Sequence, residues 1–357
     1  MTQRLERARR IAAVIAGFDA AETRALVEAA QTVGVGIGGT TGVAKIDGTS
    51  VFVKLLPLTR REMEDPFSAV DHSGLPFVSH YGIGSPSHGV GRELAAHQMT
   101  SEWVRTGTAD FFPLLLGWRI LDHRCEIDLS EFDGDGPQRQ WGPYWPQVRA
   151  RLDEMKSASA SMVLVLEYVP ETLESQLRRE VAAEAGGTTF ADAVDQIIEA
   201  TAWIEDQGFH HFDVHPGNIL VEEGRLLFTD FGLSLHRGFD LTEDEEASLP
   251  AHSGFDRNTG LMHLFHWTLF ELGYTSGSER LSLLRAAAAD PNASELEPVR
   301  AALGEGTDLI SHHANIAVDM TDMFYVLMKD VSGAGYGCGR RHGETEATVP
   351  TSLPLRR

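Results

Sequence analysis

Apolar positions fall into two regimes along the chain: short strand-like runs in the first half, and helical periodicity at the N-terminus and through the second half. Residues 2–31 read as two helices broken at Gly17-Phe18-Asp19, with Asp19 as N-cap and Glu22 in the first turn. An Asp47-Gly48 hairpin signal precedes the apolar run Val51-Phe52-Val53-Lys54-Leu55-Leu56, which predicts a strand. Further strands are expected over Phe112 to Leu121 and Met162 to Val169, with a helix from Gly91 to about Val104 before them. Leu173 to Glu184 predicts a helix stopped by Gly186-Gly187. Phe190, Val194, Ile197, Ile198, Thr201 and Ile204 then mark one face of a long amphipathic helix that ends at Gly208. Ile219 to Val221 and Arg225 to Thr229 read as two short strands joined by a tight turn. Helices at roughly 257–273, 278–289, 294–304 and 308–329 complete the pattern, and no internal repeat is visible.

Two stretches lack periodicity. Residues 57–90 carry Pro57, Pro66, Pro76 and Pro86 with His72, His80 and His88, and read as a long loop with a short helix near Arg60 to Glu64. These histidines have no ligand spacing and are expected to be structural or solvent-facing. Residues 131–158 read as an acidic, aromatic loop containing Trp141, Tyr144 and Trp145. From Val331 onward Gly, Pro, Thr and the pairs Arg340-Arg341 and Arg356-Arg357 predict a flexible tail. The chain thus divides into a helical extension (1–32), a strand-rich lobe (33–169) with the 57–90 insert, a helical lobe (170–330) and the tail (331–357).

With 357 residues, 42% of them hydrophobic, the chain can bury a sizeable core. Its formal net charge of -22 argues against nucleic acid or an anionic membrane as partner and mildly favours a cationic substrate. Cys125 and Cys338 are far apart, in no metal or redox spacing, and read as free thiols in a reducing cytosol. The apolar run Ile11 to Phe18 follows Arg9-Arg10 but lacks a small-residue cleavage pattern. No run approaches the roughly 20 apolar residues that span a bilayer. The expectation is a soluble, cytoplasmic protein.

The densest chemistry is the stretch His211-Phe212-Asp213-Val214-His215-Pro216-Gly217-Asn218, followed twelve residues after Asn218 by Asp230-Phe231-Gly232. An H-x-D-x-x-x-x-N loop entering a hairpin brings a second aspartate back beside the first. Phosphoryl transfer requires positioning and charge neutralisation rather than covalent help. Asp213 suits a base that orients an attacking hydroxyl, and Asn218 and Asp230 supply hard oxygen ligands for Mg²⁺. The glycines of Val33 to Val43, with Gly36, Gly38 and Gly39 at its centre, would let backbone N–H groups close over phosphates.

These motifs resemble the protein-kinase-like superfamily, which includes protein kinases, aminoglycoside and choline kinases and the kinases of quinone biosynthesis. His-Pro-Gly-Asn at 215–218 is similar to the aminoglycoside-type and quinone-biosynthesis version. The resemblance covers roughly residues 33–330 and implies an α+β, bilobal fold: an antiparallel N-lobe sheet plus helix over a mainly helical C-lobe. Val-Phe-Val-Lys resembles the third N-lobe strand, which makes Lys54 the phosphate ligand, with Lys45 as competitor. Glu93 is its expected helix partner, with Glu102 as runner-up. Met162 to Pro170 looks like the strand and hinge, so backbone groups from Glu167 to Val169 would hold the adenine edge. His211 would brace the loop against Phe231, and His215 stands where many protein kinases place a lysine.

The resemblance implies an ATP- and Mg²⁺-dependent kinase. Phe212 replaces the arginine that reads a phosphorylated activation loop in regulated protein kinases, so constitutive competence is expected. The lysine two after Asp213 and an Ala-Pro-Glu motif are both missing; Ser248-Leu249-Pro250-Ala251 matches the latter poorly. The acceptor is therefore expected to be a hydroxyl on a small, amine-bearing molecule. A protein Ser/Thr is the alternative, and a non-catalytic nucleotide-binding scaffold is a third reading. His263, His266 and His312-His313 have no Cys or acid at zinc-ligand spacing.

Overall fold

Five strands, β1 (Gln31–Gly36), β2 (Gly39–Ile46), β3 (Thr49–Leu58), β4 (Leu115–Leu121) and β5 (Ala160–Glu167), form one antiparallel sheet in the order β1-β2-β3-β5-β4. The structure is a computed structural model that describes residues 2–183, 186–332 and 336. Asp47 and Gly48, both at positive φ, make the β2–β3 turn that the sequence signals. Every residue of β5 is buried, as a central strand covered on both faces requires.

One face of the sheet is covered by the N-terminal helices α1 (Thr2–Ala16) and α2 (Ala20–Ala29). Asp19 caps α2 through a capping box with Glu22, and Ile11 and Ile15 are buried against the strands. A Cβ on Gly117 of β4 would lie 2.6 Å from Ile15 Cγ2, so that glycine lets α1 approach. The extension is therefore part of the N-lobe core. Helix α3 (Val90–Thr106) covers the other face, where Leu94 packs with Leu56, Leu58, Met162 and Leu164.

Residues 131–158 contain two helices, α4 (Gly136–Trp141) and α5 (Trp145–Ser157), where the sequence predicts a loop. Proline stands in the first turn of each, a position that requires no N–H. Trp141 is fully buried, so this ring packs inside the lobe instead of facing a ligand.

The C-lobe holds α6 (Leu173–Ala182), α7 (Gly186–Asp206), β6 (Phe209–His210), the hairpin β7 (Ile219–Glu222) and β8 (Arg225–Phe228), and β9 (Leu235–His236). Then come α8 (Glu243–Ser248), α9 (Phe255–Glu271), α10 (Gly277–Ala289), α11 (Glu297–Leu303) and α12 (Gly306–Leu327). This is the bilobal α+β architecture expected, with an antiparallel N-lobe sheet above a mainly helical C-lobe. Gly186 and Gly187 open α7; the end predicted for the preceding helix, at Glu184, lies outside the described residues. Val331 is buried and donates its N–H to Gln140 O at 2.9 Å, so the start of the predicted flexible tail is docked. Cys338 and the two arginine pairs lie outside the described residues, and Cys125 is a buried free thiol. Among the described residues no helix is long and apolar enough to cross a membrane.

Burial sets a pH limit on this fold. It holds His97 and His263 down to about 3, and His252, His266 and His313 down to about 4, from an ordinary value of 6.5. These rings are neutral when folded and would charge near pH 6.5 once unfolded. The unfolded chain then binds more protons, so their contribution is complete above pH 6.5 and lost as pH falls toward 4 and 3. The melting temperature is expected to be flat above neutrality and to fall on acidification, less steeply in His263→Gln. A melting temperature constant down to pH 4.5, where roughly all unfolded-state histidines would be charged, would contradict this.

Candidate active site

The central contact between the lobes is electrostatic. Lys54, pointing from β3 to the α3 face, places Nζ 2.6 Å from Glu93 Oε1 and 2.9 Å from Asp230 Oδ1. A lysine within an apolar strand needs such partners, because an unpaired buried ammonium is costly. Burial lowers the lysine's proton affinity, but Asp230 and Glu93 more than reverse this, so it is held charged well above the ordinary range. Burial raises Asp230 too, yet the Lys54 charge and the Gly232 N–H bring it down to about 2. Glu93 is shifted upward, its burial outweighing Lys54. Lys45, the competing lysine, is exposed on β2, as is Glu102, the competing acid, on α3.

Residues 211–218 are held from beneath. Phe212 has φ +63, a conformation strained for a bulky residue. The carboxylate of Asp256, at the start of α9, accepts the N–H groups of both His211 and Phe212 at 2.7 Å. The Phe212 ring is buried among Tyr81, His252 and Phe255. His211 bonds Thr229 O through Nε2 at 3.0 Å and lies edge-on to Phe231, with centroids 5.3 Å apart. Asp256→Asn keeps one acceptor oxygen and turns an amide toward the other N–H. One buried donor is then unmet, for an expected loss of about 1–3 kcal/mol. Chemical denaturation should show it as a lower midpoint at unchanged slope; an unchanged midpoint would remove Asp256 as the brace.

Asn218 Nδ2 donates to Asp213 Oδ2 at 2.9 Å and to Asp213 O at 3.1 Å. Its carbonyl oxygen is thereby left as the group that can meet a cation. Asp230, at φ +65 and with its side chain 46% exposed, turns its carboxylate toward the cleft. An ionised carboxylate and an amide oxygen are donors that fit Mg²⁺. His215 Nδ1 accepts from Gly217 N–H at 3.1 Å, and its Nε2 lies 3.9 Å from Asp213 Oδ2.

Gly36 and Gly38 leave open space where a side chain would project. Gly39 is different: a Cβ there would lie 1.9 Å from Leu55 O, so close strand packing already requires it. The backbone of Glu167 is engaged on one side only. Its N–H donates to Leu114 O at 2.8 Å, and its carboxylate takes Arg4 of α1 at 2.7–3.0 Å. Only its carbonyl is left for a nucleotide edge, alongside Val169.

The 57–90 insert also belongs to this region. His80 and His88 are buried and stack face to face, centroids 3.7 Å apart at 4°, beside Glu245. One ion cannot lie in both ring planes in that arrangement, and Arg92 already takes both Glu245 oxygens at 2.5 and 2.9 Å. The group is a brace between insert and C-lobe. Sequence reasoning missed Asp256, Arg4 and this brace, because each acts through a contact distant in the chain.

Comparison with known proteins agrees with this geometry. A protein kinase domain family model matches residues 150–242, from α5 through the Asp213 loop and Asp230. CBL-interacting protein kinase 1 of Oryza sativa subsp. japonica is 31% identical over 153 residues, covering 41% of this chain and 28% of that protein. Maternal embryonic leucine zipper kinase of Danio rerio is 26% identical over 159 residues, 40% of this chain and 22% of that one. Cyclin-dependent kinase 12 of Caenorhabditis elegans is 33% identical over 84 residues, 23% and 12% respectively. The chain thus spans less than a third of the length of these curated relatives. The matches support a protein-kinase-like superfamily.

Proposed function

We propose that the protein is an ATP- and Mg²⁺-dependent kinase that transfers the γ-phosphoryl group of ATP to a hydroxyl. The observation that carries this reading is the contact of Lys54 with both Glu93 and Asp230, beside an Asp213 held by Asn218. Phosphates would sit under the open glycines Gly36 and Gly38 and against Lys54, with the adenine edge at the Glu167 carbonyl and Val169. Asp230 and Asn218 would hold Mg²⁺, which supplies neutralisation of phosphate charge. Asp213 takes the hydroxyl proton as the new O–P bond forms and the bridging bond to ADP breaks.

The acceptor we favour is a small hydroxylated molecule carrying an amine, for which the charge of -22 provides an attractive field. The second reading, a protein Ser/Thr, is favoured by the names of relatives such as CBL-interacting protein kinase 1. Incubation of the purified chain with Mg²⁺-ATP, beside Asp213→Asn, tests the kinase reading. Transfer by the parent and not by the variant is expected, and equal transfer by both would remove Asp213 from its role.

A further inference from the structure

Segment 77–88 of the insert runs over the face of the Asp213 loop. Phe77 and Tyr81 set their rings 5.7 and 6.4 Å from Phe212. His80 Nδ1–H donates to Leu233 O at 2.8 Å, just past Asp230-Phe231-Gly232. The chain then turns at Gly82, φ +65, so close to Asp213 that a Cβ there would lie 2.8 Å from Oδ1. Gln140 Nε2–H holds the next carbonyl, Ile83 O, at 2.9 Å. A Cβ on Gly84 would lie 3.0 Å from Glu131 Oε2, so the Ser130–Phe132 turn ahead of α4 closes against the same backbone.

We propose that this Gly82–Gly84 turn is the acceptor wall of the site. It admits the hydroxyl of a compact molecule to Asp213 and excludes a Ser or Thr within an extended peptide. The inference rests on the kinase reading above. An extended chain needs a lane about 5 Å wide on both sides of the reacting residue. Here Asp213 Oδ2 is taken by Asn218 on one side. On the other, Oδ1 faces backbone pinned from Gln140 and from Leu233. A glycine is required because any side chain at position 82 would occupy the space of the incoming hydroxyl, in a backbone conformation that L residues rarely adopt.

The test uses the full chain, with Mg²⁺-ATP affinity by calorimetry and transfer to two panels: small amino-alcohols and amino-sugars, and a degenerate Ser/Thr peptide library. The parent is expected to phosphorylate members of the first panel only. Gly82→Ala should keep Mg²⁺-ATP affinity and lose about 10²-fold in acceptor kcat/KM, the scale of an ångström-sized misplacement. Gln140→Ala, which releases the Ile83 carbonyl and a 3.6 Å contact to Met328 Sδ on the exposed side, should raise acceptor KM with kcat retained and guards against a folding defect in the glycine variant. Peptide phosphorylation by the parent, or parental acceptor kinetics in both variants, would overturn the wall and leave the kinase reading standing. A parent that binds no Mg²⁺-ATP, or transfers to neither panel, would overturn both.

Discussion

Asp213→Asn should lower phosphoryl transfer by about 10²- to 10⁴-fold, the range lost with a positioned base, while Mg²⁺-ATP binding persists. The substitution keeps the shape of the side chain and its contact with Asn218 but removes the carboxylate proposed to receive the hydroxyl proton. Lys54 is paired with Glu93 and Asp230 and not with Asp213, so the proposed nucleotide side of the site is untouched. The signature is a fall in kcat at constant nucleotide affinity. A fall in affinity with kcat preserved would instead place Asp213 among the nucleotide ligands.

Lys54→Ala is expected to damage both stability and nucleotide affinity. Glu93 has a side-chain exposure of 2%, and without Lys54 it is an uncompensated carboxylate close to Asp230. Breaking one partner out of a buried pair costs about 3–5 kcal/mol, and uptake of a proton by Glu93, already shifted upward, would offset part of it. The proposed phosphate contact would be charge-assisted, worth about 1.5–3 kcal/mol, so ATP affinity should fall by roughly 10- to 100-fold. Denaturant melts and nucleotide titration read the two effects separately. Unchanged affinity and rate would move the phosphate role to Lys45.

Much of the architecture was legible because it is written in local pattern. The capping box at Asp19 and Glu22, the turn at Asp47-Gly48 and the apolar face from Phe190 to Ile204 all specify their elements within a few residues. Helices α4 and α5 were not legible, since Pro137, Pro146 and a sparse apolar face resemble loop composition. The candidate site divides in the same way. Asp213, Asn218 and Asp230 sit in one short motif, and Lys54 is conspicuous as a charge in an apolar strand. Asp256 is a lone acid at a helix start and gives no sign that it will hold the N–H groups of His211 and Phe212. Arg4 reaches Glu167 across 163 residues, and the spacing of His80 and His88 hides a stack that only the fold creates.

The insert shows why position in the chain is a poor guide to role. Its prolines and turns read as a loop without assignment, yet Gly82 lies against Asp213 and Tyr81 against Phe212. Phe212 also accounts for the absence of an arginine there. Its ring fills an aromatic pocket with His252 and Phe255, so the strained backbone is held by packing and by Asp256.

Nucleotide binding measured by calorimetry with and without Mg²⁺, for the parent and for Asp230→Asn, tests the central claim most directly. The parent should bind ATP tightly only when Mg²⁺ is present, and Asp230→Asn should lose that dependence together with most of the affinity. Binding by the parent that ignores Mg²⁺, or Mg²⁺-dependent binding that survives Asp230→Asn unchanged, would contradict the assignment of this site to Mg²⁺-ATP.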